Sequence, residues 1–291
     1  MIPSTKGYAL SISAAFFSGL AVGIGKIVLT DADPQAFSVW IFAAGVPISF
    51  LWWWFQRDKA ERVEMRPKSL FLMIIHSLLS AIAIVSMWCA VKMIDPTVAS
   101  FLSRFEVLVV VIMGIWVFKE RFKIVEAFGG AVIILGLIII RYKAGIEVSE
   151  GMLLMIFSAV SFGLSEIIAK RVVRDVEPGF FAFVRNGIVL LFLLLIALPD
   201  GNYHPSQLGE YYYLVPLVGL FGPAMGRSIY LYALKYLEIS KVATVNQAQP
   251  ITVAIVAYFT LGMLPGVKEW VGGLIVISGC IIMIKAGQGQ A

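Results

Sequence analysis

Ten apolar stretches separated by short charged runs leave this chain few ways to fold. A helix needs ~20 apolar residues to cross ~30 Å of hydrocarbon. The stretches 8–29, 35–56, 69–92, 97–118, 123–141, 151–172, 178–198, 211–235, 239–262 and 268–285 are all close to that length. Backbone groups in lipid must be bonded within the segment itself, and helices achieve that. The predicted class is therefore all-α integral membrane, with ten transmembrane helices. Composition agrees, at 60% hydrophobic and 14% charged with mean hydropathy +0.91, against about a quarter charged in soluble domains. The longest intervening loop, Arg57 to Lys68, is too short for a soluble domain.

The chain is written twice. A shift of 143 places Ala90, Lys92, Glu126, Gly129, Gly130, Gly136, Ile138 and Ile139 on Ala233, Lys235, Glu269, Gly272, Gly273, Gly279, Ile281 and Ile282. Upstream, a shift of 144 places Gly7, Ala15, Gly19, Leu20, Lys26, Pro34 and Phe37 on Gly151, Ala159, Gly163, Leu164, Lys170, Pro178 and Phe181. One inserted residue reconciles the two registers, so the expected units are 1–143 and 144–291. Each unit holds five stretches, and an odd number of crossings makes the second unit enter the membrane from the opposite side. Two inverted five-helix repeats follow, a plan shared by many secondary transporters.

Basic residues in short loops set the orientation. The side of the termini carries 15 Lys and Arg against 5 on the other, so both termini are expected in the cytoplasm. The net charge of +5 then reports topology and gives no argument for nucleic acid. The first apolar run matches the start of the second repeat and is read as an uncleaved helix. Cys89 and Cys280 sit in different predicted helices far apart in the chain, which speaks against a disulfide. The lack of a G-x-x-x-x-G-K loop argues against nucleotide binding. Two histidines without a second ligand at helical spacing argue against a metal site, and no cofactor is expected.

Polar residues inside the apolar stretches are the candidates for function, since an ionised group at membrane depth costs ~2.5–3.5 kcal/mol on the insertion scale. In the fourth stretch, Arg104 and Glu106 point ~200° apart, whereas Ser103 and Glu106, three apart, share a face. The repeat register maps Ser103 and Glu106 onto Asn246 and Gln249 in the ninth. Both pairs reach the midplane and are read as lining a shared cavity, with interhelical hydrogen bonding as the plainer role. Glu166, Arg185 and Arg227 lie ~9–13 Å from the cytoplasmic ends and can meet at one level. Three buried Arg against Glu106 and Glu166 leave one positive charge in excess. Arg227 or Arg185 is therefore assigned to an anionic group of a substrate, or to backbone carbonyls. Helix 8 of the ten carries Pro216, Gly219, Gly222, Pro223 and Gly226 just before Arg227, the interrupted span that points to a transport site. Trp88 and Tyr230 are candidate walls, with ordinary packing as the alternative. Gly19 and Gly23 form a small-residue packing pair, His76 is read as a hydrogen-bonded structural residue, and Trp52 to Trp54 as an interfacial belt.

A-V-K-M-I at 90–94, A-L-K-Y-L at 233–237, F-K-E-R at 118–121 and the paired glycines at 129–130 and 272–273 resemble the drug/metabolite transporter superfamily, EamA-type members. The resemblance covers nearly the whole chain. It implies a ten-helix inner-membrane carrier that exports amino acids or other small metabolites by alternating access. Two positions depart from the pattern: Glu106-Val107 stands where the family often has Glu-Pro, and Met263 replaces the turn acid seen at Glu120.

The expected function is a secondary carrier of a small polar metabolite, an amino acid or other carboxylate, across the cytoplasmic membrane, with export favoured. Ser103, Glu106, Asn246 and Gln249 would line its site, and Glu106 or Glu166 would carry a proton if protons are the coupling ion. The expected partners are the substrate and the lipid bilayer, with the chain acting as monomer or homodimer. A multidrug or lipid-linked substrate exporter of the same fold is the alternative. A membrane enzyme would need a catalytic constellation, and the sequence has no H-E-x-x-H and no Ser-His-Asp candidates at membrane depth.

Overall fold

The computed structural model describes residues 3–56, 67–94, 102–103, 105–118, 124–141 and 149–261, with isolated positions between 267 and 282. Among the described residues every element is helical. The basic runs 57–66 and 119–123, and Arg104, lie outside them.

Among the described residues six helices are long and apolar enough to span a membrane: α1 (Pro3–Val28, spanning from Thr5), α2 (Pro34–Gln56), α3 (Pro67–Met93), α6 (Glu150–Val172), α7 (Pro178–Ala197) and the composite α8 (Tyr212–Tyr236). Shorter helices are α4 (Phe105–Phe118), α5 (Ile124–Arg141), α9 (Ile239–Val245) and α10 (Gln249–Leu261). Proline opens α1, α2, α3 and α7, where its missing N–H costs no hydrogen bond. The side chain of Asp33 accepts from Gln35 N and Ala36 N at 2.9 and 3.0 Å, and that of Glu177 accepts from Gly179 N and Phe180 N at 2.8 and 2.6 Å. These carboxylates fix where α2 and α7 begin. Phe55, Trp116 and Phe259 point outward, 78, 79 and 80% exposed, the apolar outer face of a multi-pass membrane protein.

Two expected helices are not regular. The ninth stretch, read as one helix over 239–262, breaks at a 3₁₀ turn, Asn246–Ala248, between α9 and α10. Within α8, Leu220–Gly226 winds as a π-helix around Pro223. The Arg227 N–H bonds to Gly222 O instead of Pro223 O, and Asn186 Nδ2 donates to Pro223 O at 2.8 Å. A neighbouring side chain thus takes up a carbonyl that the helix releases.

α3 packs on α6, α2 on α7, α1 on α8 and α10, and α4 on α6 and α9. Glycines make the closest approaches. A Cβ on Gly19 would lie 2.6 Å from Thr252 and 2.9 Å from Gln249 O, and one on Gly23 2.7 Å from Val256, so the expected packing role holds. These contacts recur at the repeat offsets. Gly163 backs onto Val109 and Glu106 O as Gly19 does onto Thr252 and Gln249 O. Gly151 meets Ile94 and Met93 as Gly7 meets Leu237 and Tyr236. Lys26 Nζ donates to Val91 O at 3.1 Å, and Lys170 Nζ to Leu234 O at 2.7 Å and to Leu237 O. These lysines close the last turns of α3 and α8.

Candidate functional site

Five helices deliver polar groups to one buried cluster. His76 lies nine residues into α3, Arg185 seven into α7, Glu166 six from the end of α6 and Arg227 nine from the end of α8. At ~1.5 Å per residue they sit ~9–14 Å from the same end of the bundle, and α2 adds Ser49 and Phe42.

Arg227 is the hub. Its Nη1 donates to Glu166 Oε1 at 2.5 Å, its Nη2 to His76 Nε2 at 3.2 Å, and its guanidinium stands 5.1 Å from the Tyr230 ring centroid. On the opposite edge of its ring, His76 Nδ1 lies 2.9 Å from Ser165 O. Arg can only donate and a carbonyl can only accept, so these partners assign His76 as the neutral tautomer with its proton on Nδ1. The ring is fully buried and packs on Phe181 at 5.2 Å between centroids.

Arg185 forms the second half. Its Nη1 donates to Asn186 Oδ1 at 2.8 Å, and its guanidinium lies 5.3 Å from the Phe42 ring centroid. Asn186 Nδ2 donates in turn to Ser49 Oγ at 2.8 Å and to Pro223 O. Arg185 is 3% exposed and has no carboxylate within ion-pair distance among the described residues, although Glu166, Arg227 and His76 are all within electrostatic reach. Among the described residues, Arg185 Nε and Arg227 Nε are buried without a hydrogen-bond partner, while the buried Tyr230 hydroxyl lies against Glu166. Unpaired buried polar atoms are uncommon and call for an explanation.

The structure therefore brings Glu166, Arg185, Arg227 and Tyr230 together. Glu106 lies in the first turn of α4, with its N–H on Ser103 O at 3.2 Å, and acts electrostatically on Tyr230 from the edge of the cluster. Asn246 stands in the 3₁₀ turn with Oδ1 buried and unpartnered, and Gln249 starts α10. Trp88 lies elsewhere. It follows His76 by twelve residues, ~18 Å along α3, and packs edge-on against Phe37 at 4.9 Å.

Sequence reasoning left His76 out of the site and gave no role to Asn186, Ser49 or Phe42. The available signal was depth: His76 is as far from the start of α3 as Arg227 is from the end of α8.

The model of the EamA-like transporter family matches residues 5–142 and again 149–285. An uncharacterized transporter of Methanothermobacter thermautotrophicus is 22% identical over 304 residues, covering 97% of this chain and 87% of its own. A solved crystal structure superposes with TM-score 0.74 over 99% of both chains at 16% identity, a likeness of fold.

Proposed function

The chain belongs to the EamA-like transporter family, and on that premise we propose that it is a secondary active transporter moving a small carboxylate-bearing metabolite across the cytoplasmic membrane by alternating access. The observation that carries this reading is Arg185. It is a buried guanidinium bonded to a neutral amide, while Glu166, the carboxylate of the cluster, is engaged by Arg227. With His76 neutral the cluster holds one positive charge in excess. An uncompensated charge at this depth costs several kcal/mol, and a substrate carboxylate on Arg185 would offset it. An amino acid would also set its ammonium group beside Glu166.

In this reading Ser103, Glu106, Asn246 and Gln249 extend the site toward the midplane. The architecture is ten helices in two inverted repeats, 1–143 and 144–291, with both termini in the cytoplasm. The glycine and lysine contacts that recur at the repeat offsets support the two-fold relation.

The test is counterflow of labelled amino acids and organic acids in liposomes containing purified protein. Arg185→Gln should lower carboxylate exchange at least tenfold while the protein still purifies as a folded species. Unchanged exchange would reject this site, and transport restricted to hydrophobic cations would favour the multidrug reading.

A further inference from the structure

The bond between Arg227 and His76 is unusual because it joins two side chains that both carry protons at acidic pH. It exists only while His76 Nε2 keeps its lone pair. Adding a proton there would set an N–H donor against the Arg227 Nη2 donor 3.2 Å away, with two positive charges in nearly dry surroundings. The ring has no other edge to offer, since Nδ1 is held by Ser165 O on α6. The charged and titratable groups around it are Arg227 and Tyr230 from α8, Arg185 from α7 and Glu166 from α6, with the Phe181 ring on one face. His76 and Arg227 therefore have two compatible states: neutral and bonded, or protonated and apart.

We propose that His76 takes the coupling proton, and takes it only when a substrate carboxylate draws Arg227 away, so that proton and anion cross together. The proposal rests on the carrier reading above. A carboxylate seated on Arg185 that also engages Arg227 frees His76 Nε2 and places negative charge beside it. A proton from water then adds to that lone pair, forming the N–H bond while the Arg227 Nη2–H to His76 bond is lost. Release on the far side reverses both changes. By linkage, whatever proton affinity the anion confers on His76, the proton confers on the anion. Arg227 is well placed to transmit the change, because it is the first residue after the π-helical segment and its N–H caps that segment on Gly222 O. The two carboxylates favoured by sequence, Glu106 and Glu166, are not needed as carriers, and Glu166 instead keeps Arg227 in the site. An inward proton gradient would then drive the anion inward, opposite to the export that the family resemblance implies.

The chain has two histidines, His76 and His204. In bilayers of protein labelled with ¹⁵N-histidine, the spectrum without substrate should show His76 singly protonated on Nδ1, with His204→Gln identifying the signal. A ring protonated on Nε2 would overturn the proposal without any change at the site. Proteoliposomes loaded with a pH-sensitive dye then receive inward gradients of L-phenylalanine, L-glutamate or succinate in turn, with empty liposomes as control. The wild type should move about one proton per carboxylate. In His76→Gln, which keeps an acceptor for Arg227 but cannot be charged, that ratio should fall to near zero whatever the remaining rate. Carboxylate transport without protons in the wild type, or an unchanged ratio in His76→Gln, would overturn the proposal and leave the carrier reading standing. No transport of any carboxylate by the wild type would overturn both.

Discussion

Replacing Glu166 by Gln tests whether the Arg227 pair is an enclosed interaction. The side chains are 14 and 3% exposed and Nη1 to Oε1 is 2.5 Å, so solvent does little to screen the charge left on Arg227. Breaking a buried pair from one side costs ~3–5 kcal/mol. Gln keeps an oxygen for Nη1, which puts the expected loss near the lower end, ~3 kcal/mol, about a hundredfold in the folding equilibrium. Adding Arg227→Met removes the stranded charge and costs ~1 kcal/mol for the lost donor to His76 Nε2. The double variant should thus be more stable than Glu166→Gln alone, with a coupling of ~2 kcal/mol or more. Reversible unfolding in mixed detergent micelles, run on the four members of the cycle, gives these values. A single variant within ~1 kcal/mol of wild type, or a double variant at the sum of the singles, would refute the enclosed pair.

Further outcomes follow from packing. Gly219→Ala would place a Cβ 2.7 Å from Ile41 O, a backbone atom that cannot step aside, and should destabilise by ~1–3 kcal/mol; Gly187→Ala meets nothing within 4 Å and should be neutral or slightly stabilising in the same unfolding assay. Asn186→Ala strands Pro223 O and Arg185 Nη1, while Ser49 Oγ keeps its bond to Gly45 O; the expected loss is ~2–4 kcal/mol, together with carboxylate exchange. Trp88→Phe gives up volume but no hydrogen bond, since Trp88 Nε1 has no partner among the described residues; it should cost ~1 kcal/mol and leave exchange unaffected, and a large loss of exchange would return Trp88 to the site.

The long spans were legible because apolar length is a one-dimensional signal, and the prolines that start α2 and α7 mark their beginnings. The meeting of Glu166 with Arg227 was legible too, since opposite charges at equal depth in lipid have few other partners. α1 begins at Pro3, earlier than hydropathy places it, and its exposed Lys6 donates to Tyr236 OH at 3.0 Å. His76 escaped because its bond to Arg227 depends on a tautomer, and no residue spacing encodes a tautomer. The 3₁₀ turn at Asn246 and the π-helix at Pro223 are settled by neighbours distant in sequence. Proline and glycine show only that the chain can deviate there.

The contacts of α1 also bear on how the protein is made. Gly7, Ser11, Gly19 and Gly23 face Leu237, Val242 O, Thr252 and Val256, and the Ser11 to Val242 bond spans 231 residues. At ~5–20 residues per second of synthesis the first helix waits ~10–50 s for its partners. During that time its glycine stripe and serine meet lipid or other insertion-site proteins. A chain interrupted before Leu237 would keep that whole surface unmatched, and one interrupted before α10 would still leave Gly19 and Gly23 without Thr252 and Val256, which gives quality control in the membrane a feature to read at the very start of the sequence.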